Sequence, residues 1–192
     1  MSQSTDQHRS QSPQSVRCAV ITVSDTRTLE NDRGGRLIVD LLTEAGHSVV
    51  EREIVPDDPV RIAALLDELT GGWGRASASP QLSVAGGSAE PRPQPPGVDA
   101  VLITGGTGIA ARDQTFETVS GLLTKTLPGY GELFRMLSYD DIGPAAMLSR
   151  AIGGVIGRVV VLTMPGSPAA VRLAMEQLIL PELGHLVYEA RK

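Results

Sequence analysis

The sequence predicts an α/β domain built on a mostly parallel sheet with helices on both faces. Residues 18–23, 99–104 and 159–164 are short, nearly continuous apolar runs, the pattern of strands buried on both sides. Segments with apolar residues at helical spacing lie between them. Strands that alternate with helices in this way form parallel sheets through right-handed crossovers.

Each element has its own signals. Arg17 opens the first strand, which ends at Ser24-Asp25-Thr26; the Ser-, Gln- and Asp-rich residues 1–15 before it carry too little apolar surface to order, so a disordered tail is expected. Leu37, Ile38, Leu41, Leu42 and Ala45 mark a helix closed by Gly46 as a left-handed cap. Residues 49–55 alternate as a second strand. Asp58 and Pro59 suit the N-cap and first position of the next helix, whose apolar face is Ile62, Leu65, Leu66 and Leu69.

Residues 71–97 are rich in Gly, Pro, Ser and Ala and read as a disordered insertion, with Trp73 free to pack back onto the domain. The single domain is thus expected over 16–192 with this insertion in it. The strand at 99–104 runs directly into Gly105-Gly106-Thr107-Gly108. Helices are predicted near 115–123, 129–139 (apolar at Leu133, Met136 and Leu137) and 144–151, and then a strand at 159–164. Pro165-Gly166-Ser167-Pro168 turns into a last helix marked by Val171, Met175, Leu178 and Ile179.

Composition excludes several functions. The chain has 192 residues, 41% hydrophobic but only 3% aromatic, so its core is aliphatic. A net charge of -5 argues against nucleic acid and against a polybasic membrane contact. Cys18 is the only cysteine and sits in an apolar run, which rules out an internal disulfide and a cysteine metal cluster. His47 and His185 are isolated, so a zinc site has no support. No apolar stretch reaches the ~18 residues of a membrane span, and no apolar leader opens the chain, so the cytoplasm is the expected location.

Four loops fall at the carboxyl ends of predicted strands: Ser24-Asp25-Thr26, Pro56-Asp57-Asp58, the glycine loop with Asp113, and Pro165-Gly166-Ser167-Pro168. Parallel strands would bring them to one edge, where such sheets bind ligands. Glycines let a backbone approach a phosphate and aim N–H groups at it. Asp57 and Asp113 are candidate acids for Mg²⁺, against the plainer reading of two turn residues. Ser149 and Ser167 read most simply as packing or capping residues. Gly106-x-Gly108-x-x-Ala111 also fits a dinucleotide fingerprint. That reading needs an acid at the end of a second strand about 20 residues on, and residues 125–131 read as a helix or turn with no strand. A P-loop ending in Gly-Lys-Ser/Thr and a nucleophile elbow are both absent.

Six motifs in order carry a resemblance. They are Ile21-Thr22-Val23-Ser24-Asp25-Thr26, Ile54-Val55-Pro56-Asp57-Asp58, Thr104-Gly105-Gly106-Thr107-Gly108 with Arg112-Asp113, Leu127-Pro128-Gly129-Tyr130-Gly131-Glu132, Ala146-Met147-Leu148-Ser149-Arg150 and Met164-Pro165-Gly166-Ser167-Pro168. Together they resemble the molybdenum cofactor biosynthesis proteins of the MogA/MoaB type. The segment 133–139 with Ile142-Gly143-Pro144 looks more like the MoaB branch. Gln114-Thr115-Phe116 departs from the hydrophobic-Thr-Pro usual there.

The resemblance implies a three-layer α/β/α fold with a mixed, mainly parallel sheet, assembled as a homotrimer or hexamer. It implies that molybdopterin is adenylylated by Mg-ATP with release of pyrophosphate, and that the product passes to a molybdenum-insertion enzyme. Carried onto this chain, the essential acids, with Mg²⁺ between them directly or through water, are Asp57 and Asp113. Ser149 is a serine of the pterin site. Gly105, Gly106, Thr107 and Gly108 cradle the ligand, and Ser24, Asp25, Pro165, Gly166 and Ser167 line the same pocket. The alternatives are a protein that binds or carries molybdopterin or a precursor without transfer, and a scaffold for the pathway.

Overall fold

The structure, a computed structural model, describes residues 12–72 and 97–192. Most of the expected tail and insertion, Trp73 included, lies outside the described residues. Ser12 and Pro13 run against the last helix, where Gly184 leaves room for main chain: a Cβ there would come within 2.6 Å of the Pro13 carbonyl oxygen.

The six strands are β1 (Arg17–Val23), β2 (Ser48–Val55), β3 (Ala100–Thr104), β4 (Lys125–Thr126), β5 (Gly153–Ile156) and β6 (Val159–Met164), in the order β2-β1-β3-β6-β5-β4. β2, β1, β3 and β6 run parallel, whereas β5 and β4 pair antiparallel. The main helices are α1 (Arg33–Glu44), α2 (Pro59–Leu69), α3 (Thr115–Leu122), α4 (Pro128–Ile142), α5 (Pro168–Ala174) and α6 (Leu180–Arg191). A 3₁₀ segment (Gly143–Leu148) follows α4, and a π-helical turn (Met175–Ile179) joins α5 to α6.

The alternation of side chains along each strand makes the layers. Val20, Leu102 and Leu162 point with Cys18 and Met164 into a core covered by α1, α4, α5 and α6. Ile21, Ile103 and Val161 point the other way, against Ile62, Leu66 and Val119 of α2 and α3. Both faces of the central strands are therefore buried, which is why they read as unbroken apolar runs. The caps match their local chemistry. Asp58 accepts from the N–H groups of Val60 and Arg61 with Pro59 behind it, and Gly46 sits at φ +83° after α1.

Three features differ from the sequence expectation. Residues 125–131 do contain a strand, the two-residue β4, and β5, antiparallel to both β6 and β4, joins it to the sheet. Neither carries a readable period, since β4 is Lys-Thr and β5 begins Gly-Gly. The segment near 144–151 is 3₁₀ rather than α-helical, started by Gly143 at φ +62°. Of the residues expected as the apolar side of α4, two face outward and Leu137 is half-buried. The buried stripe of α4 is Tyr130, Phe134 and Ser138, at i, i+4 and i+8, while Leu133 and Met136 are exposed.

Gly154 makes β4 possible, because a Cβ there would fall 2.2 Å from the Lys125 carbonyl oxygen. Gly154→Ala is expected to detach β4 and lower stability by about 1–3 kcal/mol, read as a lower urea midpoint at unchanged slope.

Candidate active site

The strand order reverses between β1 and β3: the chain moves outward from β1 to β2, then crosses to β3 on the other side. A crevice opens at such a switch point, beyond the carboxyl ends of the strands. Here the backbones nearly touch. Gly105 has φ +99°, and a Cβ on it would lie 2.3 Å from the Val23 carbonyl oxygen. Gly166 meets Gly105 from the other side, its Cβ position 3.5 Å from the Gly105 Cα. Thr104 Oγ1 donates to the Pro165 carbonyl at 3.1 Å, which ties the β3 and β6 exits together.

Both candidate acids lie against the glycine loop, Asp57 from the turn after β2. The space a Cβ would take on Gly106 (φ +62°) is 2.6 Å from Asp57 Oδ2, and that on Gly108 is 2.6 Å from Asp113 Oδ2. Asp57 Oδ1 accepts from the Gln114 N–H at 3.0 Å, and Asp113 Oδ2 accepts from the Ala110 N–H at 2.9 Å. The Asp57 N–H donates to Asp25 Oδ1 at 3.1 Å. Burial is the main reason the Asp57 carboxyl is held above its ordinary value; the Gln114 bond opposes that, and the charges of Asp113 and Asp25 reinforce it.

The other expected residues divide. Ser24 and Asp25 line an open cleft of about 570 Å³ with Arg27, Leu29, Arg52 and Pro56, at the β1–β2 side of the switch point. The glycine loop and Asp113 are not among its walls; the Asp25–Asp57–Gln114 hydrogen bonds join the two halves. Ser24 Oγ accepts from the N–H groups of Thr26 and Arg27 and shapes the turn. Ser167 Oγ accepts from the Ala170 N–H and caps α5, with Pro168 at its first position. Ser149 Oγ accepts from the Ala151 N–H at 3.4 Å and makes no hydrogen bond to either carboxylate.

Two residues escape a reading of the sequence. Asp32 caps α1 through the Gly35 N–H and is buried with Thr22 Oγ1 at 2.8 Å and Arg52 Nη2 at 3.1 Å, which braces the floor of the cleft. Arg150 reaches the glycine loop: Nε donates to the Gly108 carbonyl at 2.8 Å and Nη2 to the Asp113 carbonyl at 2.9 Å. The Ser-Arg pair was visible, but nothing local says where the guanidinium points.

Comparison with known proteins is decisive at this point. A family model described as a probable molybdopterin binding domain matches residues 19–74 and 94–185. Molybdenum cofactor biosynthesis protein B of Bacillus cereus is 51% identical over 190 residues, covering 98% of this chain and 99% of its own. The chain belongs to the molybdenum cofactor biosynthesis family. A crystal structure of a molybdenum cofactor biosynthesis protein B superposes with TM-score 0.73 at 52% identity, over 94% of this chain and 99% of that one. A tungsten cofactor synthesizing protein MoaB from Pyrococcus furiosus superposes with TM-score 0.74 at 34% identity and the same coverage.

Within this family's fold, the donors present decide what cation fits. Asp57 and Asp113 each spend one carboxylate oxygen on a backbone N–H and keep the other. Among the described residues no group of three or more His, Cys, Asp or Glu is placed to hold a metal. Mg²⁺ is commonly held by one or two carboxylates with the rest of its shell from phosphates and water. The pair fits that mode and not an all-protein cage. The remaining reactive groups are used structurally. Cys18 is buried, with its thiol pushed up to about 12, and His47 Nδ1 accepts from the Val16 N–H while burial lowers its pKa.

The Asp57 shift has a checkable sign. Its contribution to stability is fully present below the ordinary value of 3.8 and is lost as pH rises through the raised native value. Asp57→Asn is therefore expected to raise Tm near neutral pH and to leave it unchanged below 3.8. Asp113→Asn should lower the Asp57 pKa in a carboxyl NMR titration; an unmoved Asp57 would show that the two charges do not interact.

Proposed function

We propose that this chain adenylylates molybdopterin with Mg-ATP. The terminal phosphate oxygen of molybdopterin forms a bond to the α-phosphorus of ATP, the Pα–O–Pβ bond breaks, and pyrophosphate leaves with the bonding pair. The observation that carries the reading is the contact of two spare-oxygen carboxylates, Asp57 and Asp113, with one glycine loop at the switch point. The relatives' names place them in the cofactor pathway, which is consistent with molybdopterin as the substrate and a metal-insertion enzyme as the recipient.

The residues divide the work. The nucleophile is already an ionised phosphate, so Asp57 and Asp113 need not take a proton. Phosphoryl-type transfer depends on placement and charge stabilisation instead. Mg²⁺ held between the carboxylates and the triphosphate would screen two anionic reactants and stabilise the leaving pyrophosphate. The loop at 105–108 supplies close backbone approach, and the cleft beside Ser24 and Asp25 offers room for a ring system. Binding without transfer uses the same surfaces, and it is the outcome that remains if chemistry fails.

AMP transfer from Mg-ATP to fresh molybdopterin, followed by chromatography, is the deciding assay. Wild type should form adenylyl-molybdopterin, and Asp113→Ala should lose about 10²-fold or more in kcat. Stoichiometric molybdopterin binding with no product would reduce the function to carriage. We also propose self-association as a trimer or hexamer, supported by the exposed row Leu133, Met136, Tyr139, Ile142, Met147 and Leu148 on α4 and the 3₁₀ segment. Light scattering should give a multiple of the 20.2 kDa chain mass, and Met136→Asp should reduce it; a wild-type monomer would contradict the assembly.

A further inference from the structure

We infer that Arg150 is the positioning residue that holds the glycine loop and Asp113 in register with Asp57. Its kinetic consequence rests on the adenylyl-transfer reading; the holding of the loop does not. The guanidinium spends its edges on protein groups. Nε binds the Gly108 carbonyl, Nη2 binds the Asp113 carbonyl, and Nη1 pairs with Glu117 of α3. Its face lies 5.2 Å from the centre of the Phe116 ring, and its own main-chain N–H donates to the Thr107 carbonyl at 3.2 Å. One residue thus ties down Thr107, Gly108 and Asp113 and fastens all three to the start of α3.

The loop's other ties are local: Asp113 and Gln114 bond to the main chain of Ala110 and Ala111, and the Thr115 N–H donates to the Gly106 carbonyl. Ile109, Ala110, Ala111 and Arg112 are exposed, so no buried side chain anchors the stretch between Gly108 and Asp113. The Arg150 strap is itself anchored from α4, where Arg135 Nη1 donates to the Ser149 and Ala151 carbonyls at 3.5 and 3.3 Å. Arg150 takes the main-chain oxygen of Asp113 and not its carboxylate, so the guanidinium occupies neither carboxylate oxygen. The task needs a planar fork with donors in fixed directions. A lysine, with one flexible ammonium, cannot serve Gly108, Asp113 and Glu117 together. Phe116 adds a ring face under the cation.

Arg150→Ala, Arg150→Lys and, as a surface control on α1, Arg36→Ala test the assignment. Hydrogen exchange at the amides of residues 106–113 should run about tenfold faster in Arg150→Ala, with β1 and β3 unchanged and the control like wild type. In the AMP-transfer assay, Arg150→Ala and Arg150→Lys should both lose about tenfold or more in kcat/KM, and added methylguanidinium should recover part of the loss in Arg150→Ala. Wild-type exchange in the loop of Arg150→Ala, or acceleration shared equally by β1 and β3, would overturn the assignment. So would undiminished transfer by Arg150→Lys. If wild type itself transfers no AMP, the adenylyl-transfer reading fails, and the exchange experiment alone decides the role of Arg150.

Discussion

The site depends on the closeness of two strand exits. Where β1 and β3 run side by side at the reversal of the sheet, the Val23 carbonyl occupies the space that any side chain on residue 105 would need. Gly105 answers both demands of that position, a positive φ and no Cβ. The tight exit turns the chain back across the strand ends toward Asp57. Gly106 then lies against that carboxyl group, and the Gly106 carbonyl accepts from the Thr115 N–H at 3.1 Å as α3 begins. Packing of the loop, placement of Asp57 and the start of α3 are consequences of one close approach.

The electrostatics follow from what that approach collects. Asp25, Asp57 and Asp113 meet at one sheet edge in a chain of net charge -5, and the fold holds Asp57 where its ionised form is disfavoured. Like charges gathered at partial burial are a cost to stability, and a cation relieves it. An acidic protein can in this way receive anionic ligands, through a bound cation and backbone N–H groups, without a basic surface. Arg150 is compatible with this because its guanidinium is spent on carbonyl oxygens and on Glu117, not on the two acids.

The opposite end of the sheet is held by different means. Asp99 opens toward Arg17 and Arg191, which brings the first strand and the end of the last helix together at the amino end of β3. Hydrogen bonds and charge from these arginines hold the Asp99 carboxyl below its ordinary value despite its burial, the reverse of the Asp57 environment. One aspartate closes the fold; the other is kept costly at the edge that holds the candidate site.

Hydrophobic patterning by itself determined β1, β3 and β6, the helices around them and the meeting of four loops at one edge, because a strand buried on both faces must be apolar throughout. Local chemistry determined the Asp58 and Ser167 caps and the glycine turns, because these act within a few residues of themselves. That Asp57 and Asp113 lie against the glycine loop was legible from their places at the strand ends. Tertiary structure alone decided the rest. β4 and β5 exist because β6 offers an edge, and two-residue or glycine-led strands have no period of their own. The outward face of α4 depends on which side the sheet covers. Asp32 and Arg150 carry their weight through partners 20 and 42 residues away, and no local pattern encodes where a long side chain finds a distant carbonyl or carboxylate.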